Sequence, residues 1–137
     1  MLADALPLAE SGAPPLHVAS SSPSNDAVEA LIARVQQFMG YYADILRDES
    51  LLRQGLAVQA EIAADLERIV EQQGKGTRPL VEANSLLRIA RSILQSALAR
   101  TESRGAHFRS DFPRRDDERF QKHSICRGQD SVLFEAW

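Results

Sequence analysis

From Asp26 onward, apolar residues recur at intervals of three and four: Val28, Leu31, Ile32, Val35, Phe38, Met39, Tyr42, Ile45 and Leu46. That spacing predicts one amphipathic helix. Asp26 with Glu29 three residues later forms an approximate capping box, and both acids suit the positive end of a helix dipole. Gly40 interrupts the stripe at a cost of about 1 kcal/mol relative to alanine, which signals close helix packing rather than a break. A second stripe, Leu51, Leu52, Leu56, Ile62, Leu66, Ile69 and Val70, predicts a helix from Ser50 to Gln73. Gly74, Lys75 and Gly76 then supply a left-handed cap and a connector, and Thr77 with Pro79 supplies the start of the next helix. The Gly-Lys-Gly-Thr run is no phosphate loop, because that motif needs two more widely spaced glycines after a buried strand. The third helix, from Pro79 to about Glu102, is the most regular, with Leu80, Val81, Leu86, Leu87, Ala90, Ile93, Leu94, Ala97 and Leu98 along one side.

Three helices of this length joined by short loops predict an all-α fold: a three-helix up-down-up bundle followed by an ordered Arg/Asp-rich loop and a short C-terminal tail. The pattern divides the chain into three parts. Residues 1–25, with Pro7, Pro14, Pro15, Pro23 and a run of serines, read as a flexible linker that lacks the apolar area to offset chain entropy. Residues 26–103 form the bundle, and residues 104–137 form the motif loop and the tail packed on it. Pro113 and Gly105 argue against continuous helix after residue 103, so residues 104–116 read as an ordered loop and 116–123 as a helical turn. Val132, Leu133 and Phe134 read as one short edge strand.

Composition narrows the function classes. With 137 residues, 44% of them hydrophobic and 26% charged, the chain builds one ordinary core and is too short for a nucleotide-binding domain plus a substrate domain. A single cysteine, Cys126, excludes an internal disulfide. No apolar run reaches the length of a membrane span, and the first residues lack the basic and apolar regions of a signal peptide, so a cytoplasmic location is expected. The net charge of −3 gives no global reason to bind nucleic acid or a membrane. Locally, however, Arg100, Arg104, Arg109, Arg114, Arg115, Arg119, Lys122 and Arg127 stand among Glu102, Asp111, Asp116, Asp117 and Glu118. Interleaved acids argue for internal pairing rather than phosphate binding. His107, His123 and Cys126 do not make a metal set at any familiar spacing, and no residues suggest a catalytic or cofactor-binding role within this chain.

The run ESRGAHFRSDFP at 102–113, followed by Asp116, Asp117 and Lys122-His123, resembles the C-terminal helical domain of the flavoproteins that include L-aspartate oxidase and the flavoprotein subunits of succinate dehydrogenase and fumarate reductase. The residues VEANSLLRIARSILQSALAR at 81–100 are similar to the long helix before this motif in the family, and RDESLLRQGL at 47–56 resembles the junction of its first two helices. The ending VLFEAW at 132–137 is more like that of L-aspartate oxidases, so the resemblance favours an aspartate oxidase over a respiratory subunit, which would dock an iron–sulfur subunit. It covers about residues 28–137. MLADAL at 1–6 is also similar to the tail of the family's last flavin-domain helix, which implies a longer ancestral reading frame, a shortened gene or a fragment.

The resemblance implies an enzyme that binds FAD and oxidises a four-carbon dicarboxylate, in the aspartate oxidase case converting L-aspartate to iminoaspartate for NAD biosynthesis. The chain itself has no GxGxxG fingerprint and no counterparts of the family's dicarboxylate-binding arginine and histidines, so it is expected to be non-catalytic alone, with FAD belonging to the full-length family. Its partners would be the FAD-binding and capping domains of the same enzyme. The expected docking motif is Glu102, Ser103, Arg104, Gly105, His107, Arg109, Asp111, Pro113, Asp116 and Asp117. Arg104 and Arg109 are the expected forks and Asp111, Asp116 and Asp117 the acceptors, with Gly105 as a left-handed cap and Phe108 and Phe112 anchoring the loop on an apolar surface. Two roles stay open for the segment: a clasp against a flavin domain, or a loop that satisfies itself and closes the bundle. Likewise His107 reads as a structural partner or as a neighbour of the dicarboxylate site. A stand-alone helical interaction module is the rival from another class. Helix faces that normally lie on another domain would leave an apolar patch around Phe38, Tyr41, Tyr42 or Phe108, and with it self-association.

Overall fold

The computed structural model describes residues 23–73, 77–128 and 131–136. The expected linker over residues 1–22, the resemblance at 1–6, the Gly74–Gly76 cap and Trp137 lie outside the described residues. Three long helices, α1 (Pro23–Tyr42), α2 (Glu49–Gln73) and α3 (Arg78–Ala99), each pack against the other two. The core takes Val28, Leu31, Val35 and Phe38 from α1, Leu52, Ile62 and Leu66 from α2, and Leu80, Leu87 and Leu94 from α3. Each such side chain contributes about 1.5–3 kcal/mol on burial. Between its leucines α3 buries Ala83, Ala90 and Ala97, small residues that let the neighbouring helices approach. Gln59, buried among them, donates to the Leu87 carbonyl at 3.3 Å.

The helix ends differ from the periodic reading in ways that local chemistry explains. Helix α1 starts at Pro23, inside the segment read as linker, because a proline needs no amide partner in a first turn. It stops at Tyr42, so Ile45 and Leu46 leave the stripe and are exposed. Asp48 starts α2, its carboxylate accepting from the Leu51 amide at 2.8 Å. Thr77 precedes α3 in extended backbone without a side-chain cap, with a proline in the first turn. Val81 and Ile93, placed on the α3 stripe by spacing, are exposed, and Phe38 is core rather than surface patch.

Gly40 does not mark close packing. A Cβ added there would meet nothing, whereas one at Gly55 would stand 2.8 Å from the Cβ of Tyr42 and 3.2 Å from Leu94. The close approach of α1, α2 and α3 is therefore at Gly55.

The chain is mostly helical but not all-α. Two residues after α1–α2 junction Asp44, β1 (Leu46–Arg47) pairs in parallel with β2 (Phe108–Arg109), Leu46 opposite Phe108 and Arg47 opposite Arg109. A short helix α4 (Asp117–Phe120) leads into β3 (His123–Arg127), which pairs antiparallel with β4 (Ser131–Glu135). The tail read as one edge strand is thus half of a hairpin. Gly128, just after β3, has a φ of 68°, which a side chain would resist. Phe134 from β4 meets Phe120 of α4 edge to face, ring centres 4.9 Å apart, and both strands rest on α3.

Candidate functional site

A helix end leaves carbonyls without amide partners, and at the end of α3 the loop supplies the missing donors. The Arg109 side chain is 1% exposed. Its Nη1 donates to the carbonyls of Ala97 (2.9 Å), Leu98 (3.1 Å) and Arg100 (3.3 Å). Its Nε and Nη2 donate to the two oxygens of Asp111, both at 2.7 Å, and the Phe112 ring covers the guanidinium at 5.0 Å. Asp111 in turn accepts from the Glu49 amide at 2.9 Å, the first residue of α2. A cation thus sits at the negative end of α3 and an anion at the positive end of α2, where each dipole favours it. The Arg109 hydrogen bonds, ahead of an opposing burial effect, hold the Asp111 carboxyl below its usual range.

Glu102 is the second centre, a carboxylate with no exposed surface. It accepts from Arg100 (2.7 Å), from Arg104 through Nε (2.8 Å) and Nη2 (3.2 Å), and from the Asp116 amide (2.7 Å). Burial alone would raise its pKa, but the bonds from Arg104, the Asp116 amide and Arg100 outweigh burial and lower it. Arg100 also reaches the carbonyls of Phe120 and Lys122 (2.7 and 2.8 Å) and packs against the rings of both Phe120 and Phe134, at 5.6 and 5.2 Å from their centres. Through it, α4 and the hairpin are tied to the end of α3.

His107 joins the loop to the α1–α2 junction. Its Nδ1 stands 2.9 Å from Arg47 Nη1 and its Nε2 3.2 Å from the Arg100 carbonyl. A guanidinium only donates and a carbonyl only accepts, so Nδ1 is the acceptor and Nε2 carries the hydrogen. Burial first, then the charges of Arg47, Arg109 and Arg100, lower the His107 pKa against the raising effect of its backbone partner. Arg47 Nη2 also donates to the Ala43 carbonyl (2.7 Å) just past α1.

The remaining motif residues shape the loop. The Ser103 hydroxyl donates to the Phe112 carbonyl (2.9 Å) and accepts from the Arg109 amide (2.9 Å). Gly105 has a φ of 55° within the turn where Arg104 and His107 exchange backbone bonds. Asp116 caps α4 and pairs with Arg119, not with Arg104 or Arg109; Asp117 pairs with Arg104 and Arg115. Pro113 is exposed. Phe108 and Phe112 do not bury themselves on an apolar surface; both stay exposed, Phe112 as the cover of Arg109. Arg47, Arg100 and Arg119 belong to the network although the motif reading left them out. Their signal was position: an arginine just past a helix end finds free carbonyls, and one three residues after an aspartate can close on it.

Among the described residues, every buried side-chain nitrogen or oxygen has a partner, and no three His, Cys, Asp or Glu residues gather as a metal set. Cys126 Sγ lies 3.2 Å from the Ser96 hydroxyl, a half-buried thiol against α3. The described glycines sit in helices and loop turns, with no strand leading through a glycine-rich turn into a helix, so these residues do not fit a flavin dinucleotide. No described helix is long and apolar enough to cross a membrane.

What the geometry defines is a helical domain whose three long helices are locked at one end by an arginine–carboxylate latch. The sequence profile of the fumarate reductase flavoprotein C-terminal family matches residues 32–135, and the chain belongs to that family. It is 52% identical over 55 residues to a fumarate reductase flavoprotein subunit of Mycobacterium tuberculosis, covering 39% of this chain and 9% of that protein. It is 35% identical over 106 residues to a succinate dehydrogenase flavoprotein subunit of Rickettsia conorii, covering 74% and 18%. An L-aspartate oxidase of Streptomyces coelicolor is 31% identical over 96 residues, covering 68% and 17%. The chain therefore spans less than a fifth of the length of these curated relatives.

Proposed function

We propose that the chain is the C-terminal helical domain of an FAD-dependent flavoprotein that interconverts succinate and fumarate, seated on FAD-binding and capping domains of the same enzyme that lie outside this chain. The observation that carries this reading is the family match over residues 32–135, which takes in both the bundle and the whole latch. The latch supports a positioning role rather than a catalytic one, since its charged groups are spent on one another and on helix ends. In this reading the three long helices form the bundle, their short connections favouring an up-down-up course, and residues 104–137 the latch and tail. The motif residues Glu102 to Asp117 keep the docking side in one shape, and the chemistry belongs to the absent domains.

A second reading, an L-aspartate oxidase oxidising L-aspartate to iminoaspartate, is favoured by the VLFEAW ending and by the Streptomyces relative. The test is reconstitution. The FAD-containing remainder of a matched succinate dehydrogenase or fumarate reductase flavoprotein subunit and that of a matched L-aspartate oxidase are each mixed with this chain, and dye-coupled oxidation of succinate by the first and of L-aspartate by the second is followed. A gain in succinate turnover on adding the chain supports the first reading and a gain with aspartate alone the second. No association and no gain with either would reject both.

A further inference from the structure

The β1–β2 pair is inside out. Neighbouring residues of a strand face opposite ways, and here the arginines face in while the hydrophobic residues face out. Arg47 and Arg109 turn to His107, Asp111 and the helix ends. Leu46 and Phe108, opposite each other in the register, remain 61% and 40% exposed. Ile45, whose carbonyl accepts the Phe108 amide at 3.1 Å, is 59% exposed. A strand pair at a permanent water surface shows the reverse pattern, polar side out and apolar side in. The arginines cannot be moved to correct this, because they are the donors that satisfy the ends of α1 and α3.

The patch is also held stiff. The Phe108 and Ser110 amides are bonded to the Ile45 and Arg47 carbonyls, and Arg109 is fixed on both of its edges. A rigid apolar seat loses little freedom when it is covered, which is what a docking surface needs. What covers it follows from length: the chain spans less than a fifth of its curated relatives, so most of such a protein is available to lie against this domain.

We infer that Ile45, Leu46 and Phe108 form the seat on which the FAD-containing remainder of the same flavoprotein packs, an inference that rests on the function proposed above. The partner surface is apolar and uncharged at its centre, because a charge facing these three side chains would be buried without a counter-ion.

The experiment measures capture of the FAD-containing remainder of a matched flavoprotein subunit by this 137-residue chain. It compares the wild type with the double variants Leu46→Glu/Phe108→Glu and Leu46→Ser/Phe108→Ser and with Ile89→Glu on the exposed side of α3, with circular dichroism melting of each. The expected result is unchanged melting for the serine pair with capture weakened about tenfold or more, as for central interface residues, and no effect of Ile89→Glu. Capture by the folded strand-pair variants equal to wild type would overturn the seat while leaving the proposed function standing. A wild-type chain that binds nothing would overturn both. A chain that forms dimers dissociated by the same pair of substitutions, without capturing the flavoprotein, would assign the patch to a second copy instead and also overturn the inference.

Discussion

Single residues carry opposite expectations where they look alike in the sequence. Gly40 and Gly55 both interrupt helical stripes, but only Gly55 has a neighbour where a Cβ would go. Gly40→Ala is expected to stabilise by about 0.5–1 kcal/mol through helix propensity. Gly55→Ala is expected to destabilise by about 1–3 kcal/mol, because Tyr42 and Leu94 must shift to admit the methyl group. Thermal or urea melts of the two variants check both signs. Glu102 is the most consequential side chain of the latch. Replacing it with alanine leaves Arg100 and Arg104 without their shared acceptor and the Asp116 amide unpaired, so a loss of about 3–5 kcal/mol is expected by urea titration. Arg104→Ala leaves Arg100 and the amide in place and is expected to destabilise less.

Among the elements, the long helices were legible and the small strands were not. The period of three and four at Val28, Leu31 and Val35, or at Leu80, Leu87 and Leu94, repeats often enough to specify a buried face. It misled past Tyr42, where Ile45 and Leu46 continue the spacing although the helix has ended, and at Val81 and Ile93, which hold the spacing on α3 but face outward. Two-residue strands carry no period at all, and β1–β2 is held by backbone bonds and by arginines that reach helix ends, a long-range arrangement no local pattern encodes. The β3 strand, His123–Arg127, mixes polar and apolar residues on a half-covered surface, and Gly128 was its one local sign. The loop has a pH signature. His107 has a lowered pKa in the fold, so below its ordinary value near 6.5 the unfolded chain takes up the proton more readily and stability falls with falling pH. Glu102 and Asp111 are lowered as well, so their contribution is present above their ordinary values of 4.5 and 3.8 and is lost as the pH drops through their folded ones. Melting temperature against pH is expected to drop in two stages, the first removed by His107→Gln.

At the scale of the whole molecule, the bundle supplies the stability and the latch supplies a fixed shape at one end of it. Charges that a surface loop would leave in water are instead committed to the ends of α1, α2 and α3, and the hydrophobic residues that a free loop would bury are turned outward. Those bonds make the loop one rigid piece with the α1–α2 junction. Hydrogen exchange of the isolated chain tests this most directly. The amides of Phe108, Ser110 and Asp116, bonded to the Ile45 carbonyl, the Arg47 carbonyl and the Glu102 carboxylate, are predicted to exchange as slowly as amides in the middle of α3. Exchange of those three amides at the rate of an unstructured peptide, while α3 stays protected, would contradict it.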